Sequence, residues 1–163
     1  SQDFQEAAAQ AGTAALAAAG IGPERVGLLI NTSVTRATLE PSVAVRIHHM
    51  MGLPTSATNF DITNACLGFV NGLMMAAVAL LAEIGRWLGE GAASLAAILD
   101  PQLFVIGGGL AEAGDLVLEP ARVAFAEELT GGGHRPAARF CVATLGNDAG
   151  VIGAAALARE GRA

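Results

Sequence analysis

The chain has 163 residues, about one ordinary domain, and is 53% apolar, 4% aromatic and 15% charged. Nine arginines, with no lysine, face 15 acids for a net charge of −6, so no basic patch exists to displace phosphate counterions or to meet anionic lipid. Nucleic acid and membrane are therefore not expected as partners, and the two cysteines, Cys66 and Cys141, build neither a disulfide framework nor a metal site. A reducing, cytoplasmic setting with no metal and no cofactor is expected.

The N-terminal SQDFQEAAAQAG carries acids and amides where a secretory leader would carry a basic region and an apolar core. Residues 3–19 are alanine-rich with apolar positions near helical spacing, and Gly20 is a natural stop, which predicts a first helix. A continuous apolar run at 26–30 predicts a buried parallel strand. Pro41-Ser42 opens a second predicted helix that ends at Gly52, and 57–61 is a second strand. Residues 66–99 contain no proline and predict a helix of more than thirty residues, with Gly85, Gly89 and Gly91 as places for a bend or break. Its longest apolar run, 73–82, is about ten residues, half of what a bilayer needs, so no transmembrane helix is expected. A strand at 103–106, a helix at 118–129, a strand at 139–143 and a helix at 149–159 complete the chain. Helices alternating with apolar strands predict an α/β fold, a layered α/β/α domain with one mainly parallel, roughly four-stranded sheet.

Cys66, in FDITNACLGFVNG, sits between a strand and the start of a helix. Free backbone N–H groups there stabilise a thiolate, which can accept an acyl group while neighbouring amides hold the oxyanion. The same spacing also fits a buried, inert thiol.

The stretch from AAAQAGTAALAAAG through NTSVTRATLEPSVAVRIHHMMGLP to NFDITNACLGFVNGL resembles the thiolase superfamily. It is most similar to the β-ketoacyl-ACP synthase III branch and its head-to-head condensing members, over residues 3–78. The resemblance makes Cys66 the acyl-accepting nucleophile, with acyl-CoA or acyl-ACP as donor. It makes Glu40, in TLEPS, the glutamate base that reaches the partner subunit's site. Read alone, Glu40 is a solvated loop carboxylate. The His and Asn that such enzymes draw from a second half of their fold are missing after residue 78. His48 and His49 lie in the helix before Cys66, and His134 lies in a GGGHRP loop, all outside that context.

The C-terminal half of the chain resembles another family. ILDPQLFVIGGGL and LGNDAGVIGAA, within residues 82–159, are similar to the C-terminal part of ROK-family sugar kinases, glucokinases in particular. That resemblance makes Gly107, Gly108 and Gly109 the glycine turn lying against a bound nucleotide. Read alone, it is only a turn after a strand. The family's N-terminal phosphate loop, catalytic Asp, sugar-binding ExGH segment and cysteine-rich zinc motif are not in this sequence, and Asp148 reads better as a helix cap than as a base.

The expectation is therefore one α/β domain assembled from two segments, a thiolase-like 1–80 and a ROK-like 81–163: a chimera, recombined or designed de novo, without a complete native active site. Thiolase-type acyl transfer through Cys66, or a nucleotide-binding remnant at the glycine turn, are the alternatives. Unpaired strand edges and uncovered apolar helix faces further predict a homodimer, with the 57–61 strand or the 66–99 helix at the contact.

Overall fold

A computed structural model of the chain describes residues 3–35, 38 and 40–161. The chain divides into two compact units, Ser1–Ala76 and Ala77–Ala163.

In the first unit, α1 (Phe4–Ala19) starts where the Asp3 carboxylate accepts the Gln5 N–H at 3.2 Å. It ends at Gly20, whose φ of 66° lets Gly20 and Ile21 donate back to Ala17 and Leu16. Strand β1 (Leu28–Asn31), helix α2 (Val43–Met50) and strand β2 (Thr58–Asp61) come next. The two strands pair in parallel, from Leu28 opposite Thr58 to Asn31 opposite Asp61. Ala9, Val43 and Ile47 form the buried centre, with Phe4, Leu29 and Met51 packed around them. This core is small.

Helix α3 (Gly68–Leu99) has 32 residues and so extends about 48 Å. Its second half packs in the second unit against α4 (Asp115–Glu128), with strands β3 (Leu103–Ile106) and β4 (Arg139–Val142) paired in parallel and α5 (Ala149–Arg159) last. Ala92, Ala93 and Ala96 of α3 meet Leu118, Ala121 and Phe125 of α4 and Phe140 of β4 in the core. Phe104, Phe125 and Phe140 close on one another with ring centroids 5.2–5.8 Å apart. The single tryptophan, Trp87, stays on the outer side of α3, 57% exposed.

The α/β character and the parallel pairing are as expected, but the roughly four-stranded sheet is not: the four strands form two sheets of two. Each pair is closed by its own crossover, β1 to β2 through α2 and β3 to β4 through α4. A hydropathy pattern marks a strand without naming the neighbour that takes its hydrogen bonds. The expected break at Gly85, Gly89 or Gly91 is also absent, since α3 is continuous. Two of those glycines instead admit α4: a Cβ at Gly85 would lie 2.3 Å from the Val117 carbonyl oxygen, and one at Gly89 2.2 Å from that of Ala121. Helix α4 starts three residues earlier than expected and contains Pro120, which faces Gly85.

The helical segment Ala65–Leu99 is, by length and composition, apolar enough to cross a membrane: an 18-residue stretch reaches a mean hydropathy of 2.1, and 11% of it is buried. Counting only the unbroken run at 73–82 understated this, because Asn71 and Gly72 end that run while the apolar residues before them keep the mean hydropathy of the longer stretch high.

Candidate functional site

Cys66 lies in a single turn of 3-10 helix, Ala65–Leu67, directly ahead of α3. Two glycines seat α3 against the end of β1: a Cβ at Gly68 would stand 2.8 Å from the Thr32 carbonyl oxygen, and one at Gly72 2.6 Å from the Thr32 methyl. The 3-10 turn is thereby held at the carboxyl ends of the parallel strands, where α/β folds place their ligands. Ala65 takes φ 39°, a left-handed conformation costly for a residue with a Cβ. The next residue, Cys66, is exposed with a free thiol, so the inert buried reading does not hold for it. Asn64 donates through Nδ2 to Asn71 Oδ1 at 2.7 Å, tying the turn to the first turns of α3.

Glu40 is exposed in the bend before α2, and no hydrogen bond or ion pair joins it to Cys66. His48 Nε2 lies 3.0 Å from the Pro54 carbonyl oxygen, and His49 is exposed, both near the end of α2. His134 is exposed in its loop, 3.4 Å through Nδ1 from the Gly132 carbonyl oxygen. None of the three histidines is hydrogen-bonded to Cys66.

Sequence reasoning passed over Asp61. Its Oδ2 accepts the Val43 N–H at 2.9 Å and its Oδ1 accepts the Ala44 N–H at 2.9 Å, so a strand-end carboxylate caps α2 from outside the helix. Asn31 Nδ2 donates to the same Oδ1 at 3.0 Å, and its own Oδ1 accepts the Ser33 N–H at 3.3 Å. An acid at the end of a predicted strand, with the neighbouring helix opened by Pro-Ser rather than an acidic cap, was the available signal.

In the second unit the glycine turn leaves β3 directly. Gly107 packs its α-carbon beside Ala143, where an added Cβ would sit 3.6 Å from the Ala143 methyl. Gly108 takes φ 77° and ψ −176°, a combination closed to L side chains, with nothing within 4 Å of an added Cβ. Gly109 begins the 3-10 turn Gly109–Ala113, which lies beside the turn Gly146–Asp148 after β4. Asp148 occupies the cap position of α5, but its side chain makes no capping hydrogen bond. The space outside Gly108 is open. Among the described residues no three His, Cys, Asp or Glu side chains gather closely enough to hold a metal ion.

The fold is thus an α/β protein whose strand pairs present two different features at their carboxyl ends, a displayed cysteine and a glycine turn. Residues 62–161, more than half of the chain, match the ROK family, and the chain belongs to that family. The match starts some twenty residues ahead of position 82 and so takes in Cys66. A glucokinase of Streptomyces coelicolor is 53% identical over 78 residues, 48% of this chain and 25% of that protein. An acyl-CoA:acyl-CoA alkyltransferase of Xanthomonas campestris is 50% identical, also over 78 residues, 47% of this chain and 23% of that protein. Among solved structures, a ROK family glucokinase from Streptomyces griseus in complex with glucose and AMPPNP is 48% identical, covering 52% of this chain and 27% of that one with a TM-score of 0.48. The chain spans about a quarter of the length of the curated relatives it matches. Likeness to ROK glucokinases and to thiolase-superfamily condensing enzymes, each over about half of the chain, fits a chimera-like mixture of the two.

Proposed function

We propose that the chain is a recombined or designed α/β protein that joins part of a thiolase-type enzyme to part of a ROK kinase and by itself catalyses neither parent reaction. The observation that carries this reading is the divided likeness: two enzyme families share the chain, and each relative is covered for only about a quarter of its length. The site geometry supports it, because among the described residues no base is hydrogen-bonded to the free thiol of Cys66. Two free cysteines, one of them exposed, suit a reducing cytoplasmic setting. The test uses the intact 16.3 kDa chain, confirmed by mass spectrometry, with glucose and ATP and then with a long-chain acyl-CoA. Neither glucose phosphorylation nor condensation is expected, and turnover in either assay overturns the reading.

A second reading, acyl transfer to Cys66, is favoured by one observation: an exposed thiol displayed by a turn with Ala65 in the left-handed region. The sulfur attacks the thioester carbonyl, the bond to coenzyme A breaks, and the thiol proton ends on the released coenzyme A. Such a reaction stops at the acyl-enzyme, with Glu40 contributing only if a second copy brings it near. Intact mass would gain one acyl group, and Cys66→Ser would abolish the gain. A nucleotide-binding remnant at Gly107–Gly109 is the third reading; calorimetry with ATP is expected to register no heat of binding.

A further inference from the structure

The accessible surface of the chain is 10593 Å². Two separately folded compact units of half its mass would together expose about 9,000 Å². Even with no credit for contact between units, about 1,500 Å² remains that a compact fold would hide. That is the share one subunit contributes to an obligate homodimer, about 1,000–2,500 Å².

The second unit shows where such surface lies. Phe104 and Ile106 of β3 and Phe140 of β4 pack into the core with α3 and α4. Leu103 and Val105 alternate with them and are exposed on the opposite face, Val105 by 56%, beside Arg139 and Cys141, their register partners in β4. Parallel strands are almost always covered on both faces, so this face lacks a layer of helix. The same unit holds a helix without a sheet. Helix α5 (AGVIGAAALAR) has no buried residue; Val151 is 74% exposed, and Ile152 and Leu157 are open as well. Its 11 residues extend about 16 Å, enough to cover four-residue strands of about 13 Å.

We propose that two copies of the chain pair about a two-fold axis, with α5 of each lying across the open β3–β4 face of the other. Each copy supplies the layer the other lacks, which makes the contact reciprocal and closed. A second copy fits better than lipid, because Asp148 and Arg159 bracket the apolar stretch of α5 within eleven residues and the chain carries −6. This surface differs from the 57–61 strand and the 66–99 helix, and the pairing does not depend on which chemistry Cys66 performs.

The experiment starts from light scattering of the full chain at micromolar concentration, where twice 16.3 kDa is expected. In a Cys66→Ser, Cys141→Ser background, chains carrying Val105→Cys and Val151→Cys are then made with different tags, mixed and oxidised. The mixed disulfide is expected to exceed either homodisulfide at least tenfold. Val151→Glu is expected to give a monomer with unchanged helical circular dichroism, whereas Val123→Glu, on an exposed position of α4, leaves the dimer intact. A monomeric parent chain, equal yields of all disulfides, a dimer that survives Val151→Glu, or partition onto phosphatidylcholine vesicles in place of self-association would each overturn the proposal.

Discussion

Asn31 and Asp61 are joined twice, as register partners in the β1–β2 pair and through a 3.0 Å side-chain hydrogen bond from Asn31 Nδ2 to Asp61 Oδ1. Asn31 is buried, 9% exposed, so the bond fixes the carboxylate in the orientation that receives the Val43 and Ala44 N–H groups. One acid thereby ties both strands to the start of α2 in a unit whose apolar core is small.

Asp61→Ala removes three acceptor contacts and leaves the Asn31 amide and two helix donors without partners. A loss of about 2 kcal/mol is expected. Amide exchange at Val43 and Ala44 should quicken well beyond that at Ala121 in the second unit. Unchanged protection at both positions would remove Asp61 from the role of cap.

Gly89→Ala places a methyl 2.2 Å from the Ala121 carbonyl oxygen and 2.9 Å from the Ala124 methyl, backbone and core atoms that cannot swing aside. A destabilisation of about 1–3 kcal/mol in urea is expected. Gly91→Ala is the matched control, with nothing within 4 Å of the new methyl, and should stabilise the helix by up to about 1 kcal/mol. Equal effects of the two substitutions would show that α3 and α4 do not meet at Gly89.

Cys66 is exposed and Cys141 is half-buried in β4. An alkylating agent in modest excess should therefore label Cys66 to completion before Cys141 in the folded chain, and at comparable rates in guanidinium. Peptide mapping by mass spectrometry gives the order directly.

On the exposed side of α3, Arg86 grips Glu83 bidentately, Nη2 to Oε1 at 2.6 Å and Nε to Oε2 at 3.1 Å, and also contacts Glu90. The hydrogen bond from Arg86, with its charge, holds the Glu83 carboxyl below its usual 4.5 and raises the Arg86 guanidinium in turn. A lowered carboxyl favours the folded state above about pH 4.5, and that contribution fades as pH falls through the folded value. NMR titration of Glu83 should give a midpoint below the ordinary value, returning upward in Arg86→Gln. The pair is solvent-exposed, so the accompanying change in stability should be small and should shrink further in salt.

The helices and strands were largely legible because their signals are local. Gly20 and the alanine-rich run before it mark α1, and the apolar LFVI between Asp-Pro and Gly-Gly-Gly marks β3. Partnership was not legible, since β1 and β3 carry the same kind of run and nothing in it selects a neighbour. The role of Gly85 and Gly89 was misread for the same reason: a glycine in a helix signals weakness locally and close approach only once α4 is in place. At the site, the position of Cys66 between strand and helix could be read from sequence, while its exposure, the left-handed Ala65 and the Asp61 cap depend on residues brought together by folding.

The clustering of Phe104, Phe125 and Phe140 beside an outward Trp87 has an optical consequence. With no tyrosine in the chain and its one indole already in water, tryptophan emission should barely change colour as the protein melts. The sharp vibronic bands of phenylalanine in near-ultraviolet circular dichroism become the faithful reporter instead, and they speak for the second unit, where all three packed rings reside.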